Sequence, residues 1–310
     1  MERGKNLKTN ITEFLLLGFS DLQAELQLTV FLFFLSAYLL TLFCNILIIV
    51  IITIDFQLHV PMYLFLRNLS FLEMCSITVT APKAMQIFVS GDKSISFLGC
   101  ASQMLVFFTV AVSECLFLTV MAFDRYLAIC CPLRYSSIMS KETCHCLTVA
   151  SWLVGFLLTL GQTIFIFSLP FCASNHIYHF FCDIPPVLSL ACTNIFINQL
   201  SVFIVCSVAA VIPFLLILCS YANIAYSIAL IKSTTGRHKA ISTCGSHLTS
   251  VILFYGTAMV VYLRLNAQEF GGINRGIALF YCIVIPVINP LIYSLKNKDL
   301  KSSLMKYIEI

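Results

Sequence analysis

The chain has 310 residues, 10% of them charged and 60% hydrophobic, with a formal net charge of +4 and a mean hydropathy of +0.96. Soluble domains carry roughly 25% charged residues, so 18 basic and 14 acidic side chains are too few to cover a water-soluble globule of this length. Soluble enzyme and disordered chain are excluded, as is a nucleic-acid binder, because +4 is too small a charge to hold a polyanion; an integral membrane protein is left.

The N-terminal segment carries Asn10-Ile11-Thr12, a glycosylation acceptor sequence at Asn10. The apolar run Phe14–Phe19 is too short for the core of a cleavable signal, so the first span is expected to act as its own signal anchor. That span, Leu26–Ile54, has 29 residues without an acidic or basic side chain, where a helix needs about 20 to cross a bilayer. Six more spans follow, at about 60–81, 97–123, 143–168, 196–226, 241–263 and 276–295. Arg67 and Glu73 interrupt the second and Glu114 the third; Pro213 in the fifth and Pro286 and Pro290 in the seventh predict kinks. The loops are short, so residues 1–310 form a single bundle domain, with an extracellular tail over 1–23 and a cytoplasmic tail over 296–310. Continuous apolar runs exclude the alternating strands of a barrel.

Eleven of the Lys and Arg residues fall on the side of Arg125, Arg134, Lys141 and Lys239, and seven on the other. Cationic loops stay in the cytosol, which puts the N-terminus outside and the C-terminus inside. Asn68-Leu69-Ser70 also matches the glycosylation pattern but lies within the second span, where the match is spurious. Of 15 cysteines most lie in spans, as small apolar residues. Cys100, Cys172, Cys182 and Cys192 face the oxidising exterior, where three pairings are open.

Buried polar groups mark mid-membrane. Glu73 and Glu114 lie roughly 18 and 16 Å above the cytosolic ends of their helices, and Asn45 roughly 14 Å; Asn289 sits somewhat lower in the seventh span. Intramembrane acids are costly, and two at one depth with no Lys or Arg beside them predict a bound cation or a shared proton, against a plain structural reading of two hydrogen-bonded acids. The extracellular halves are apolar: Phe107, Phe108, Ala111 and Val112 in the third span, Val205 and Ala209 in the fifth, Ala258 and Met259 in the sixth, with hydroxyls from Tyr255 and Tyr262. No Lys or Arg occurs between Lys141 and Lys232. A pocket here suits a neutral, mostly apolar small molecule; for any single residue ordinary helix packing competes with that reading.

Asp124-Arg125-Tyr126 ends the third span and Asn289-Pro290-Leu291-Ile292-Tyr293 closes the seventh. They resemble the D-R-Y and N-P-x-x-Y signatures of rhodopsin-like G-protein-coupled receptors. Pro61-Met62-Tyr63, Leu69-Ser70-Phe71-Leu72-Glu73, Pro82-Lys83 and Lys239-Ala240-Ile241-Ser242-Thr243-Cys244-Gly245-Ser246-His247-Leu248 are similar to motifs of the class II, or tetrapod, olfactory receptors, as is the opening Glu13-Phe14-Leu15-Leu16-Leu17-Gly18-Phe19. The resemblance runs from the tail to Lys298.

It implies an all-α, seven-transmembrane bundle with a short amphipathic helix after the seventh span. It implies disulfides Cys100–Cys182 and Cys172–Cys192, and adds Cys206, Leu279 and Cys282 to the pocket. Phe107 stands where amine receptors carry an acid, which disfavours an aminergic ligand. Asn45, Glu73, Glu114 and Asn289 match a sodium-type site, with sodium the one candidate ion and no other cofactor expected. Asp124, Arg125, Tyr126, Tyr221, Lys239, His247 and Tyr293 match the coupling region, with Asp124 expected as the charged partner of Arg125 and His247 as a gate. The implied function is activation of a stimulatory G protein of the olfactory type by an odorant, at the plasma membrane of sensory cilia, with no enzymatic activity.

Three departures stand out. Glu73 replaces the usual Asp, Phe123 a Tyr, and Ile241 a Phe. The competing readings are a same-fold chemoreceptor in another tissue, a transporter, which predicts inverted repeats that the sequence lacks, and an intramembrane enzyme, for which no nucleophile or metal set accompanies the two acids.

Overall fold

A computed structural model describes residues 11–19, 22–172, 174–231, 233–262, 271–296 and 298–308; within them, the side chains of 235–236, 238–239, 242–243, 258–262, 271–274, 294–296, 298 and 308 are outside the description. In chain order the elements are β1 (Glu13–Leu16), α1 (Ala24–Ile54), α2 (Pro61–Ser90), β2 (Ser94–Ser96), α3 (Phe97–Cys130), α4 (Pro132–Ile138), α5 (Lys141–Phe167), β3 (His176–Ile177), α6 (Ile184–Leu188), α7 (Phe196–Leu230), α8 (Thr234–Tyr262), α9 (Gly271–Leu279), α10 (Ile285–Lys296) and α11 (Lys298–Ile308). A π-helical turn, Phe280–Val284, joins α9 to α10.

Among the described residues five segments are long and apolar enough to cross a membrane: α1, α3, α5, α7 and Arg275–Tyr293, which joins the end of α9 to α10. With 30 and 29 residues, α2 and α8 are of matching length, and at 1.5 Å per residue each spans roughly 45 Å. Large apolar side chains such as Leu28, Phe43, Val211 and Leu215 face outward, which suits a hydrocarbon solvent and no aqueous one.

Helices run beyond the spans marked by charge: α2 continues to Ser90, α3 to Cys130, and α8 begins at Thr234. Charges record where the hydrocarbon ends, whereas a helix ends where its last groups find caps. Thus Ser96 accepts the Gly99 N–H at 3.0 Å to open α3, and Gly91, in the left-handed region at φ 69°, closes α2.

At the centre, α3 packs on α2, α5, α7 and α8, while α1 packs on α2 and α10. The core has an upper cluster, containing Phe34, Met104, Phe107, Phe181 and Cys282. A lower one contains Leu69, Phe117, Leu118, Tyr255 and Tyr293.

The strands are a departure from the all-helical reading. β1 pairs antiparallel with β2, Glu13 opposite Ser96, and parallel with β3, Leu15 opposite His176. The extracellular segment before α1 is therefore the middle strand of a small sheet, with Phe14 and Leu16 fully buried beneath it. Pro82 and Pro213 lie inside α2 and α7, and Pro290 inside α10. The π turn ends two residues before Pro286, whose missing N–H leaves the preceding turn without its usual bond.

Candidate functional site

Three layers of the bundle hold the residues marked by sequence. At the extracellular end the loop after α5 is stapled down. Cys100, at the start of α3, is joined to Cys182 with Cα atoms 5.5 Å apart, and Cys172 to Cys192 at 5.7 Å. Gln103, one turn into α3, reinforces the first bridge: its amide donates to the Val79 carbonyl at 2.8 Å and its oxygen accepts the Cys182 N–H at 2.9 Å. The rings of Phe107 and Phe181 consequently stand 4.9 Å apart. Phe108 meets Phe107 edge-on at 5.3 Å, and Tyr281 lies 6.0 Å from it.

Leu279 packs against this cluster, which includes the buried Cys282. Ala111, Val112, Val205 and Cys206 are half-buried and Ala209 is buried. Tyr255 parts from this set. Its hydroxyl donates to the Cys115 carbonyl at 3.4 Å, its ring packs 5.1 Å from Phe214, and it belongs to the lower core. The side chains of Ala258, Met259 and Tyr262, and all of Asn10, lie outside the described residues.

Sequence reasoning missed an acid in this layer. Asp183 follows the bridging Cys182 and is buried. Its Oδ1 accepts the Ile184 N–H at 2.8 Å and its Oδ2 the Tyr281 hydroxyl at 3.1 Å. Burial pushes its carboxyl up to about 6. The signal was legible: the stretch without Lys or Arg contains two acids, Glu142 at its start and Asp183 beside a disulfide cysteine. Nearby His179 is buried and pushed down to about 3, first by burial and then by the charge of Arg275, so its ring is neutral. Arg275 also donates to the Gly18 carbonyl, tying the top of α9 to the N-terminal segment.

At mid-membrane Glu73 and Glu114 are both buried and their carboxyls meet. Asn289 donates to Glu73. Asn45, expected in the same cluster, instead donates to the Thr41 carbonyl of its own helix at 3.0 Å, and no hydrogen bond joins it to the acids among the described residues. Four buried oxygens there, Thr41 Oγ1, Ser70 Oγ, Glu114 Oε1 and Asn289 Oδ1, have no hydrogen-bond partner among the described residues. Of these, Glu114 Oε1 and Asn289 Oδ1 belong to the cluster itself, and hard oxygen donors of this kind fit a monovalent cation or bridging water.

At the cytosolic end the expected Asp124–Arg125 pair is not formed. Asp124 accepts the Tyr135 hydroxyl of α4 at 2.8 Å, and the Arg125 guanidinium reaches the Met62 sulfur of α2. Adjacent helical residues point in directions about 100° apart, so neighbours along α3 face different partners. His247 bridges three helices: its Nδ1 lies 2.7 Å from the Tyr221 hydroxyl of α7 and its Nε2 3.0 Å from the Leu118 carbonyl of α3. Tyr126 stacks on Phe123 at 6.3 Å, and Tyr293 is buried in the lower core. The side chain of Lys239 lies outside the description. A junction that sequence did not reveal holds α11: Ser303 donates to the buried Asp55 and Tyr63 to Asp299 at 3.3 Å. The Ser303 hydroxyl, with the Gln57 N–H, holds the Asp55 carboxyl below the usual range.

Asn68 donates to its own helix at Leu64 and accepts the Trp152 indole N–H at 3.3 Å, an intrahelical and interhelical role that leaves no glycan site.

Comparison with known proteins adds a family. The sequence model described as "Olfactory receptor" matches residues 34–309. The human protein "Olfactory receptor 10AG1" is 46% identical over 296 residues, covering 96% of this chain and 98% of its own length. The human "Olfactory receptor 5A1" is 46% identical, with 97% and 95% covered. The mouse "Olfactory receptor 5G9" is 46% identical, with 96% and 94% covered.

Proposed function

The chain belongs to the olfactory receptor family, the seven-transmembrane, non-enzymatic G-protein-coupled receptors, and we propose that its ligand is a neutral, mostly apolar small odorant bound in the extracellular half of the bundle. The observation that carries this reading is the aromatic cluster at a covalently stapled lid: Phe107 of α3 packed with Phe108, Tyr281 and the lid's own Phe181, which adjoins the Cys100–Cys182 bridge. Leu279, Cys282, Ala111, Val112, Val205, Cys206, Ala209, Ala258, Met259 and Tyr262 complete the proposed lining. Binding is a population shift toward a state in which the cytosolic end of α8 swings out, Arg125, Tyr221 and Tyr293 rearrange, and the C-terminal helix of a stimulatory G protein of the olfactory type enters. The proposed cellular site is the ciliary plasma membrane of sensory neurons, with Asn10 glycosylated outside.

A sodium ion is the proposed occupant of the Glu73–Glu114 site, where Asn289 and Ser70 oxygens would complete it and its charge would offset the carboxyls. Exchanging sodium for choline is expected to lower the melting temperature of purified receptor. Glu73→Gln should abolish that difference; its persistence would remove the ion from this site.

The decisive experiment is a cAMP reporter screen against a broad odorant panel, followed by Met259 and Tyr262 substitutions on each hit. Altered potency or ligand ranking is expected. Substitutions that leave both unchanged move the ligand elsewhere.

A further inference from the structure

The lid puts an acid beside the aromatic cluster. Asp183 uses one oxygen to cap α6 and the other to accept from Tyr281. A carboxylate offers about four lone-pair positions, so each oxygen keeps capacity for a further donor. The Tyr281 ring that holds it packs on Phe107. Three elements thus converge: the lid, α3 and the π turn. Apart from the capping bond, the acid is held against Tyr281, beside Phe107.

We propose that Asp183 and Tyr281 form the polar end of the ligand site and select small apolar molecules bearing a hydrogen-bond donor, a hydroxyl or an amine, over matched molecules bearing a carbonyl or a carboxylate. The inference rests on the odorant-receptor reading and specifies its ligand class, extending it from neutral molecules to protonated amines. A buried carboxylate gains from a donor and is left facing a second acceptor when a carbonyl or carboxylate arrives, which costs the acceptor its hydration with no bond in return. It also revises the expectation against amines. The acid absent at Phe107 is supplied from the lid. Burial pushes Asp183 up to about 6, which leaves it ionised at neutral pH.

The test uses the full chain at measured surface expression with a cAMP readout. The probes are matched alcohols, amines, aldehydes and carboxylic acids on several aliphatic and aromatic skeletons. A hydrogen bond to a charged group corresponds to roughly 10- to 100-fold in affinity, so alcohols or amines should exceed the aldehyde of the same skeleton by about that factor, with the acid weakest. Asp183→Asn keeps a residue that caps helices well and removes the charge; it should collapse the gap between donor and aldehyde. Tyr281→Phe frees an acceptor position on Asp183 but also removes a hydroxyl that holds its carboxyl down; assayed at about pH 8, where the carboxyl stays ionised, it should widen that gap. If Asp183→Asn shifts all probes by one common factor, or if wild type ranks aldehydes with alcohols, the proposal is overturned. Should Asp183→Asn fail to reach the surface, Tyr281→Phe decides: a widened ratio supports the proposal and an unchanged one overturns it. Silence to every probe and to the broad panel, with receptor at the surface, counts against the odorant-receptor reading itself; responses that ignore both substitutions count against this inference alone.

Discussion

Asp183 and His179 sit four residues apart in the lid and respond to acid in opposite senses. The folded value of Asp183, about 6, lies above the ordinary carboxylate value near 3.9. Its ionisation therefore weighs against the fold, with the penalty absent below about pH 4 and complete above about pH 6. His179, held to about 3, must stay neutral to remain folded, so its contribution is present above the ordinary histidine value near 6.5 and falls away as pH drops below it. Between about pH 7 and pH 5 the two effects oppose each other. Asp183→Asn removes only the first, so its melting temperature should fall more steeply than that of wild type on acidification over this range; parallel curves would show that Asp183 does not titrate there. At the other end, His247 ties α8 to the Leu118 carbonyl of α3, a bond that the proposed outward swing of α8 would break. His247→Ala should change odorant-driven or basal cAMP at equal surface expression. An unchanged response would mean that this histidine is a structural tie and no gate.

Among the elements, the α3–α5 contact shows how small residues set helix spacing without a hydrophobic driving force between helices. A Cβ on Gly155 would stand 2.3 Å from the Ser113 hydroxyl and 3.1 Å from the Thr109 carbonyl. The same interface carries Thr109 Oγ1 to Thr159 Oγ1 at 2.7 Å and Ser113 to the Ser151 carbonyl at 3.3 Å. Gly155→Ala should overpack this contact and destabilise by about 1–3 kcal/mol, read as a lower melting temperature. Ser113→Ala in the same chain should recover part of the loss by removing the nearest atom. No recovery would place the strain in the backbone approach. The composition of α5 carries none of this, because an apolar helix with scattered Gly, Ser and Thr has no mark of which face meets which neighbour.

At the scale of the whole molecule the described residues of the extracellular face include a sheet of three chain segments, with β1 in the middle. Leu15 N–H donates to the Asn175 carbonyl at 2.8 Å and Leu17 N–H to the Ile177 carbonyl at 2.9 Å. Phe19 stacks on Phe180 at 5.6 Å, and Gly18, at φ 39°, turns the chain before it, against Phe180 and with little room for a side chain. Leu15→Pro removes the donor from the middle of this sheet. Surface delivery and thermal stability should both fall, and amide exchange should accelerate around residues 94–96 and 176–177. Exchange unaltered at those strands would show that the disulfides alone hold the lid.

The sequence by itself determined the solvent, the number and order of the spans and the orientation, because the hydrocarbon excludes charge from a continuous helix and leaves its thickness written in the gaps. It also marked Glu73, Glu114 and Asn289, since a polar group at mid-membrane is conspicuous against an apolar background. Only the tertiary structure decided which of those groups touch. Asn45 matched the acids in depth yet turned to its own helix, Tyr255 belonged to the lower core, and Asp124 chose Tyr135 over its neighbour Arg125. Depth is linear in residue number, but azimuth around the helix and the fold of the loops depend on contacts between segments far apart in the chain. For that reason Asp183, one more charge in a loop when read along the sequence, came to lie against Tyr281 and its partner ring Phe107 once Cys182 was fixed to α3.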